Sequence, residues 1–415
     1  MADTVMKPPT KADVPFLPSE IMAEIFKRLP VRFLTQFQCV CKDWKILIKN
    51  LFKTPSFIQD HLHHSGNRNP SLLLEQYHRR IRGIRLSVLD YDKQVHKVQE
   101  SLLTNLRFNV DIVGSSNGLV CGKIIFKSTI YHHPLLVWNP MTREARKVLP
   151  KTIINSELVD FVGFGFSPLD NDYKIVRIIV DDSSVIKPIE VYSLKCGSWK
   201  KIEFGNLLKG IRMTSKNVTV NGVMFWFARW YDDIDTILLV DLSKEVCTYI
   251  SSMPYINYFS PRRLVKYENK LAVIANNIEG IDQSNRIHLW VMEEDRQCAS
   301  KDDSERWRWT KIYTSEPYQS KCKDLNPVTI WGNEIVLLPY DQVENRDGKT
   351  TTLYLLNLIT NEFKKIAARA YTYNYYQTRK RRPFYYNGKN IEIDIFNYVE
   401  SLVSVGNINI EEHGS

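Results

Sequence analysis

The sequence lacks the features that mark secreted, membrane and metal-binding proteins. The first residues contain no apolar core of signal-peptide length, and no later apolar run is long enough to span a bilayer. The seven cysteines are scattered and include no C-x-x-C pair, which argues against a disulfide framework or a zinc ribbon. We therefore expect a cytoplasmic or nuclear protein without a membrane partner. We also expect Cys39 and Cys41 to be buried thiols.

Motifs for catalysis are absent as well. The chain contains no nucleophile elbow, no zinc-protease helix motif and no phosphate-binding loop. Gly163-Phe164-Gly165 has neither a third glycine at the proper spacing nor a following helix pattern, so we interpret it as a strand turn. We assign no catalytic residue, no metal ligand and no cofactor, and we expect a protein that is not an enzyme.

Positive charge is in excess, but the excess is local. The net charge is +10, and the segment from Phe363 to Asn390 holds eight basic residues and no acidic one. The rest of the chain is close to neutral, which argues against a surface built to hold nucleic acid. With 415 residues, 44% apolar and 25% charged, the chain has the composition of a globular protein with two domains or one large repeat architecture.

Residues 16–51 show the periodicity of short helices. Ile21, Ile25 and Leu29 recur at four-residue steps, and Pro30 ends the first helix, because the residue before a proline disfavours helical geometry. The same spacing continues to Leu51 and predicts two more helices. A unit of this size cannot bury all of its apolar surface internally, so we expect a partner to cover part of it.

Three runs of this module match a known motif: Leu17-Pro18-Ser19-Glu20-Ile21, Ile25-Phe26-Lys27-Arg28-Leu29-Pro30-Val31-Arg32 and Cys39-Val40-Cys41-Lys42-Asp43-Trp44. They resemble the F-box, whose members bind the small adaptor subunit of cullin-based SCF ubiquitin ligases and, through it, the cullin. The module departs from many members at Phe26, where they have leucine. The resemblance implies an adaptor-binding surface formed by Leu17, Pro18, Ile21, Ile25, Leu29, Pro30, Leu34, Val40, Cys41 and Trp44.

From about residue 71 the pattern changes to short β-type runs separated by turn residues. A unit with an apolar strand and a polar turn occurs six times, and it repeats about every 50 residues, a period typical of kelch blades. We predict a mainly β fold in which a three-helix F-box precedes a kelch-like β-propeller. Six blades are favoured, and seven is the alternative. The equivalent positions of the six units are Asp90, Asn139, Ser193, Asp241, Val291 and Asn357.

A propeller must join its last blade to its first. We expect the strand Tyr398–Val405 to pair with Ser71–Leu74 and close the ring. The predicted division of the chain is a flexible N-terminus (1–15), the F-box (16–51), a polar linker (52–69), the propeller (70–405) and a flexible tail (406–415).

Several runs of the repeat region also match a known domain, including Gly114-Ser115-Ser116-Asn117-Gly118-Leu119-Val120-Cys121 and Val137-Trp138-Asn139-Pro140-Met141-Thr142-Arg143. They resemble the F-box-associated domain of plants, which occurs in the S-locus F-box proteins of pollen among others. The resemblance implies that the chain is the substrate-recognition subunit of a ubiquitin ligase, with the propeller binding an unidentified target protein.

Two segments are candidates for target binding, since aromatic residues and arginines are favoured interface anchors. The first contains Arg229, Trp230 and Tyr231, and its alternative interpretation is an ordinary blade strand with its turn. The second is the basic, tyrosine-rich run 371–389, which is alternatively a flexible basic loop or a nuclear-import signal. Its candidate residues are Arg379, Arg381, Arg382 and Tyr385.

Two other functions stay open at this point. The first is a pollen S-locus F-box protein that recognises S-ribonucleases, although these are generally basic and the basic segment would repel them unless it faces away. The second is a propeller enzyme or a sugar-binding propeller in which the helical start is incidental.

Overall fold

A computed structural model shows a small helical module followed by a large β domain. None of its helices has the length and hydrophobicity that crossing a membrane requires, as far as the described residues go. The structure describes residues 17–68, 70–78, 83–90, 92, 95–97, 109–125, 133–152, 158–181, 186, 189–202, 211–213, 216–230, 234–251, 253–254, 256, 260–279, 284–294, 307–318, 325–339, 351–368 and 394–406. The predicted flexible N-terminus 1–15 lies outside these residues, as does the predicted flexible tail 406–415 except for Gly406.

The helical module contains four helices: α1 (Ser19–Phe26), α2 (Val31–Phe37), α3 (Lys42–Leu51) and α4 (Pro55–Arg68). The first three were predicted. The fourth occupies the segment 52–69, which we expected to be a polar linker. Phe57 and His61, one helical turn apart, are both buried. This face, with the partly buried Ile58 beside it, packs onto the module. Most other positions of α4 are polar, and for that reason the segment was interpreted as a linker.

The described strands form six sheets of four or five strands each. The first three sheets contain, from the inside outward, β25 (Asp394–Tyr398), β1 (Ser71–His78), β2 (Gly83–Leu89) and β3 (Val95–Lys97); β4 (Asn109–Ser116), β5 (Leu119–Ile125), β6 (Leu135–Trp138) and β7 (Ala145–Val148); and β8 (Leu158–Ser167), β9 (Asp172–Asp181), β10 (Ile189–Ser193) and β11 (Ser198–Ile202).

The other three sheets continue in the same order. They contain β12 (Ile211–Met213) and β13 (Val218–Val220) on one edge of β14 (Val223–Trp230), then β15 (Asp235–Asp241) and β16 (Val246–Ile250); β17 (Arg262–Tyr267), β18 (Lys270–Glu279), β19 (Ser284–Glu294) and β20 (Trp307–Thr314); and β21 (Leu325–Trp331), β22 (Glu334–Pro339), β23 (Thr351–Asn357) and β24 (Phe363–Ala368).

These sheets are the six blades of a propeller, numbered here in chain order. Their inner strands contact one another in a closed circle that runs β25, β4, β8, β13, β17, β21 and back to β25. An apolar cluster fills each of the six seams between neighbouring blades, the seam between blades 6 and 1 included. The six-blade prediction is therefore confirmed for the described residues.

Burial on both faces explains the apolar runs in the middle of each blade. Leu72 and Leu74 of β1 pack into the seam with blade 6, whereas Leu73 packs into the seam with blade 2. Side chains of a strand alternate between the two faces of its sheet, so a strand between two seams needs apolar residues at every position.

The repeated unit found in the sequence is the third strand of each blade together with its turn. Asn139, Asp241 and Asn357 each accept hydrogen bonds from backbone N–H groups two and three residues ahead. The residue four positions after each of them has a positive φ, and its N–H donates a hydrogen bond to the backbone carbonyl of the turn's first residue. The same pattern occurs after Ser193. Short polar side chains recur there because they close this turn locally.

The closing strand differs from the predicted one. It is β25, which pairs antiparallel with β1 in the register Ser71↔Tyr398 to Glu75↔Asp394. The predicted strand Tyr398–Val405 overlaps it only at Tyr398. From Val399 onward the backbone leaves the sheet, because the carbonyls of Ser401 and Val403 accept hydrogen bonds from Asn139 in blade 2.

We predict that truncation before Asp394 abolishes cooperative unfolding of the propeller. It removes the buried side chains of Ile395, Tyr398 and Leu402 and exposes the edge of β1. Loss of each large buried side chain costs about 2–5 kcal/mol, so the sum reaches the total stability of a typical domain. Thermal melting followed by circular dichroism measures the effect. Truncation after Gly406 is the control, and an equal melting temperature in both truncated proteins would contradict closure by β25.

Candidate functional site

The two ends of the propeller differ, and the helices occupy one of them. We call the end at which β25 finishes, next to Tyr398, the near face, and the end at which β25 begins, at Asp394, the far face. Leu402, just beyond β25, belongs to the apolar cluster of the helical module. The helices therefore pack on the near face, and the far face is at the opposite end of the domain.

Helix α1 is apolar on two sides. Met22 and Phe26 are buried in the core of the module, whereas Ile21 and Ile25, also one turn apart, are 48% and 42% exposed. Leu17, four residues before Ile21, is 50% exposed. These three residues form an exposed apolar stripe, a feature that marks interaction surfaces.

The other residues predicted to bind the adaptor fall into three groups. Pro18, Val40 and Cys41 are exposed, and Leu29, Pro30 and Trp44 are half-buried. Leu34 is fully buried between the helices, so it supports the surface from behind and does not belong to it.

Trp44 and Cys41 also have local roles in the fold. The Trp44 ring packs edge-on against Phe26 and Phe37, with centroids 5.3 and 5.4 Å apart. The Cys41 sulfur accepts a hydrogen bond from the Trp44 N–H at 3.4 Å and thereby caps α3. Cys39 and Cys41 are exposed, which corrects the expectation of buried thiols. They lie around the turn between α2 and α3 and not on a helix face.

Two exposed apolar residues of the module were not among the residues predicted to bind the adaptor. Phe33 lies on α2 with the Arg32 guanidinium 5.0 Å above its ring, and Ile46 on α3 is 60% exposed. Their positions along the helices could have identified them as exposed. Phe33 lies on a different face of α2 from the buried Leu34, and Ile46 lies on a different face of α3 from the buried Ile48.

A short segment after β25 holds the helices to the propeller. The Glu400 carboxylate accepts a hydrogen bond from the Val31 N–H at the start of α2, at 2.9 Å. This N–H has no partner within its helix, and a carboxylate is favoured at a helix N-terminus. Two residues later, Leu402 is buried among the helices, while the Asn139 side chain holds the intervening backbone to blade 2.

Gly118 leaves room for this segment in blade 2. Its φ is +83°, and a Cβ atom there would lie 2.3 Å from the Ser401 hydroxyl and 2.7 Å from the Val399 carbonyl oxygen. Only glycine fits both the turn and the close approach of the backbone. The joint between helices and propeller is thus tightly packed.

His61 of α4 makes a second contact inside the module. Its Nε2 donates to the Leu29 carbonyl at 2.9 Å, and its Nδ1 lies 3.5 Å from the Ser65 hydroxyl. Burial lowers the pKa of His61, the hydrogen bond to Leu29 opposes that shift, and the nearby His64 adds to it.

On the far face, the structure places Arg229 and Trp230 at the end of β14. Both the Nε and Nη2 atoms of Arg229 donate to Asp235, at 2.9 and 2.7 Å, and Arg262 of blade 5 pairs with the same carboxylate at 2.7 Å. The Trp230 ring packs edge-on against Tyr249. Both side chains therefore contribute to contacts within and between blades.

The remaining predicted target residues, Tyr231, Arg379, Arg381, Arg382 and Tyr385, lie outside the described residues. Topology nevertheless locates the strand ends that flank them. β14 ends and β15 begins on the far face, and so do the end of β24 at Ala368 and the start of β25 at Asp394. Both candidate segments are thus attached at the end of the propeller opposite the helices.

Comparison with protein families matches both parts of the chain. Residues 15–54 match the F-box domain, and residues 79–391 match the domain described as F-box associated beta propeller domain. The closing pair β1 and β25 lies outside the second match.

Related proteins come from Arabidopsis thaliana. An F-box/kelch-repeat protein is 25% identical over 237 residues, which cover 55% of this chain and 63% of the relative. This chain thus spans just under two thirds of that relative. An F-box protein is 27% identical, with 78% and 79% covered, and a second F-box/kelch-repeat protein is 24% identical, with 82% and 86% covered.

Among solved structures, the β-propeller domain of the Trilobed protease from Pyrococcus furiosus has a TM-score of 0.36 and 14% identity, with 63% of this chain and 71% of that chain covered. A lectin of Aleuria aurantia has a TM-score of 0.39 and 9% identity, with 70% and 89% covered.

We predict that the helical module loses stability below about pH 6.5 because of His61. The folded state favours the neutral ring and lowers its pKa, so the contribution of His61 is complete above the unfolded pKa. It declines as the pH falls below that value, by at most about 1.4 kcal/mol per pH unit. Hydrogen exchange of residues 19–68, corrected for its intrinsic pH dependence, measures this change. His61→Gln should remove this loss of stability at low pH. The control His63→Gln, at an exposed position of the same helix, should retain it. The same pH dependence of hydrogen exchange in both variants would contradict the prediction.

Proposed function

Since the chain belongs to the family of F-box proteins with an F-box associated β-propeller domain, we propose that it is the substrate-recognition subunit of a cullin-based SCF ubiquitin ligase. In this role the helical module binds the adaptor subunit, and the propeller binds a target protein. The observation that carries the proposal is the exposed apolar stripe Leu17, Ile21 and Ile25 on a module whose opposite side is attached to the propeller.

The adaptor surface in this proposal consists of the stripe together with Pro18, Val40 and Cys41, bordered by the half-buried Leu29, Pro30 and Trp44. An apolar surface of this kind gains free energy when a partner removes it from water. Leu34 and the aromatic contacts of Trp44 hold the surface in shape from within.

The joint between helices and propeller suits a positioning role. In such a ligase the other subunits carry out ubiquitin transfer, and the receptor accelerates it by holding the target nearby. That requires a stiff connection between the two binding sites. The Glu400 cap, the buried Leu402 and the backbone contact at Gly118 supply several short-range contacts across the joint. We assign the protein no catalytic residue.

The far face is the proposed target-binding side. Both candidate segments are attached there, and the adaptor surface is at the other end, so both partners can bind at once. Arg379, Arg381 and Arg382 would favour an acidic or phosphorylated target, since arginine binds carboxylates and phosphates in bidentate fashion. Tyr231 and Tyr385 would add rigid contact area. Arg229 and Trp230 would support this surface through their contacts with Asp235 and Tyr249.

The more specific interpretation as a pollen S-locus F-box protein stays a prediction. Pollen-specific expression linked to an S-ribonuclease locus would support it, and broad expression would count against it. A protein that cleaves a substrate or binds a sugar through residues 70–405 alone would support the enzyme or lectin interpretation instead.

We predict that replacing Ile21 and Ile25 together by Ala weakens binding of the purified adaptor subunit about 30-fold. Loss of two central apolar contacts costs about 2 kcal/mol, and both positions are exposed, so the helix should stay folded. Isothermal titration calorimetry measures the affinity. Leu169→Ala, at an exposed turn of blade 3, is the control, and unchanged affinity of the double variant would overturn the adaptor surface. Trp44→Ala is less informative because it also disrupts the packing with Phe26 and Phe37.

We predict that replacing Arg379, Lys380, Arg381 and Arg382 by Ser reduces capture of the target and makes the remaining binding less sensitive to salt. Targets are recovered by affinity purification with the proteasome blocked and quantified by mass spectrometry at low and high salt. The control replaces Lys364 and Lys365, which are exposed on β24, and adaptor binding should be unchanged in both variants. Unchanged target recovery with lost nuclear accumulation would identify the basic run as an import signal.

A further inference from the structure

The central channel of the propeller contains a cluster of charged side chains towards the far face. Glu75 lies on β1, Asp394 on β25 and Asp111 on β4, and one carboxylate oxygen from each is within 4.8 Å of the other two. The first two residues are paired across the closing strands of blade 1, and the third is on the inner strand of blade 2.

Lys216 reaches this cluster from the opposite side of the ring. It precedes β13 in blade 4, and its ammonium group donates to an Asp394 oxygen and to the Ile112 carbonyl, the latter at 3.1 Å. The ammonium also lies 5.3 Å from the centre of the Phe396 ring. Among the described residues, one positive charge thus faces three carboxyl groups, which leaves the cluster with an excess of negative charge.

Glu75 is the most deeply buried of the three acidic residues. It is only 9% exposed, and its Oε1 accepts a long hydrogen bond of 3.5 Å from the Ile112 N–H. Its Oε2 is buried and has no hydrogen-bond partner within the described part of the chain. Burial raises the pKa of Glu75 well above its usual range, the Asp394 carboxylate adds to that shift, and Lys216 opposes it. A buried oxygen without a partner is costly, and a bound cation would offset that cost.

We propose that Glu75, Asp111 and Asp394 bind a calcium ion at the far-face end of the channel, beside Lys216. Oxygen ligands lie 2.3–2.6 Å from Ca²⁺, so two ligands of one ion are at most about 5 Å apart, and all three oxygen pairs meet this limit. The cluster offers only oxygen, which disfavours zinc. Mg²⁺ needs shorter bonds and a stricter geometry. Asp111 is exposed and gives an ion access from the channel.

The position of the site gives the ion a structural effect. Its ligands come from both strands of the closing pair and from the next blade. A bound ion would therefore hold the first and last strands of the propeller together, and Ca²⁺ should raise the melting temperature. This inference does not rest on the proposed function, because adaptor binding involves the helices at the other end of the molecule.

The test uses the full-length protein after treatment with a chelator. We expect saturable binding of one Ca²⁺ per chain by isothermal titration calorimetry, a melting temperature that rises with Ca²⁺ concentration, and weaker effects of Mg²⁺. Asp111→Asn, at an exposed position, should fold normally and lower Ca²⁺ affinity at least tenfold. Glu75→Gln should lower it as well.

Asp160→Asn is the matched control. Asp160 is also a buried carboxylate, but it is already paired with Lys123 at 2.5 Å and Arg177 at 3.0 Å. Its replacement should reduce stability and leave Ca²⁺ binding unchanged. Absence of saturable binding to the unaltered protein at millimolar Ca²⁺ would overturn the proposal, and so would equal affinity in the Asp111→Asn variant.

Discussion

The pairing of β25 with β1, and the few residues that follow it, hold the whole molecule together. β25 supplies the inner strand of blade 1 and contributes Ile395 and Tyr398 to the seams on its two sides. The next residues attach the helices, since Glu400 caps α2 and Leu402 is buried among the helices. Ring closure and the attachment of the helical module thus depend on one short stretch near the C-terminus.

The rest of the propeller follows from this closure. Each blade is buried on two faces, and each seam is shared by two blades, so every blade is stabilised by both of its neighbours. An open ring would leave the seam between blades 6 and 1 exposed to water, along with the free edge of β1. Closing the ring removes both costs at the same time.

The same arrangement separates the two proposed binding sites. The apolar stripe of α1 lies on the module at the near face, whereas the candidate target segments are attached at the far face. A rigid propeller between them fixes the distance from adaptor to target, which a flexible linker would not do. The helix α4 and its buried His61 contribute to this rigidity because they tie the segment before blade 1 to the turn at Leu29.

Much of this architecture could be predicted from local sequence. The helical spacing of Ile21, Ile25 and Leu29 identified the module, and the turn residues Asn139, Asp241 and Asn357 gave the repeat and the blade number. These features depend on neighbours a few residues away, so they are visible in the chain itself. The exposed or buried side of a residue was harder to assign: Leu34 and Ile25 are equally apolar, and only packing puts one inside and the other on the surface.

Contacts between distant parts of the chain were decided by the tertiary structure alone. The exact closing strand, the role of Glu400 and the cluster of Glu75, Asp111 and Asp394 all join residues far apart in sequence. An isolated glutamate in a strand gives no sign of the carboxylates it will meet when the ring closes. The sequence by itself determined the helices, the turns and the repeated strands, because these are formed by local interactions. Which charges and edges would meet was decided only by folding, because the ring brings the two ends of the repeat region together.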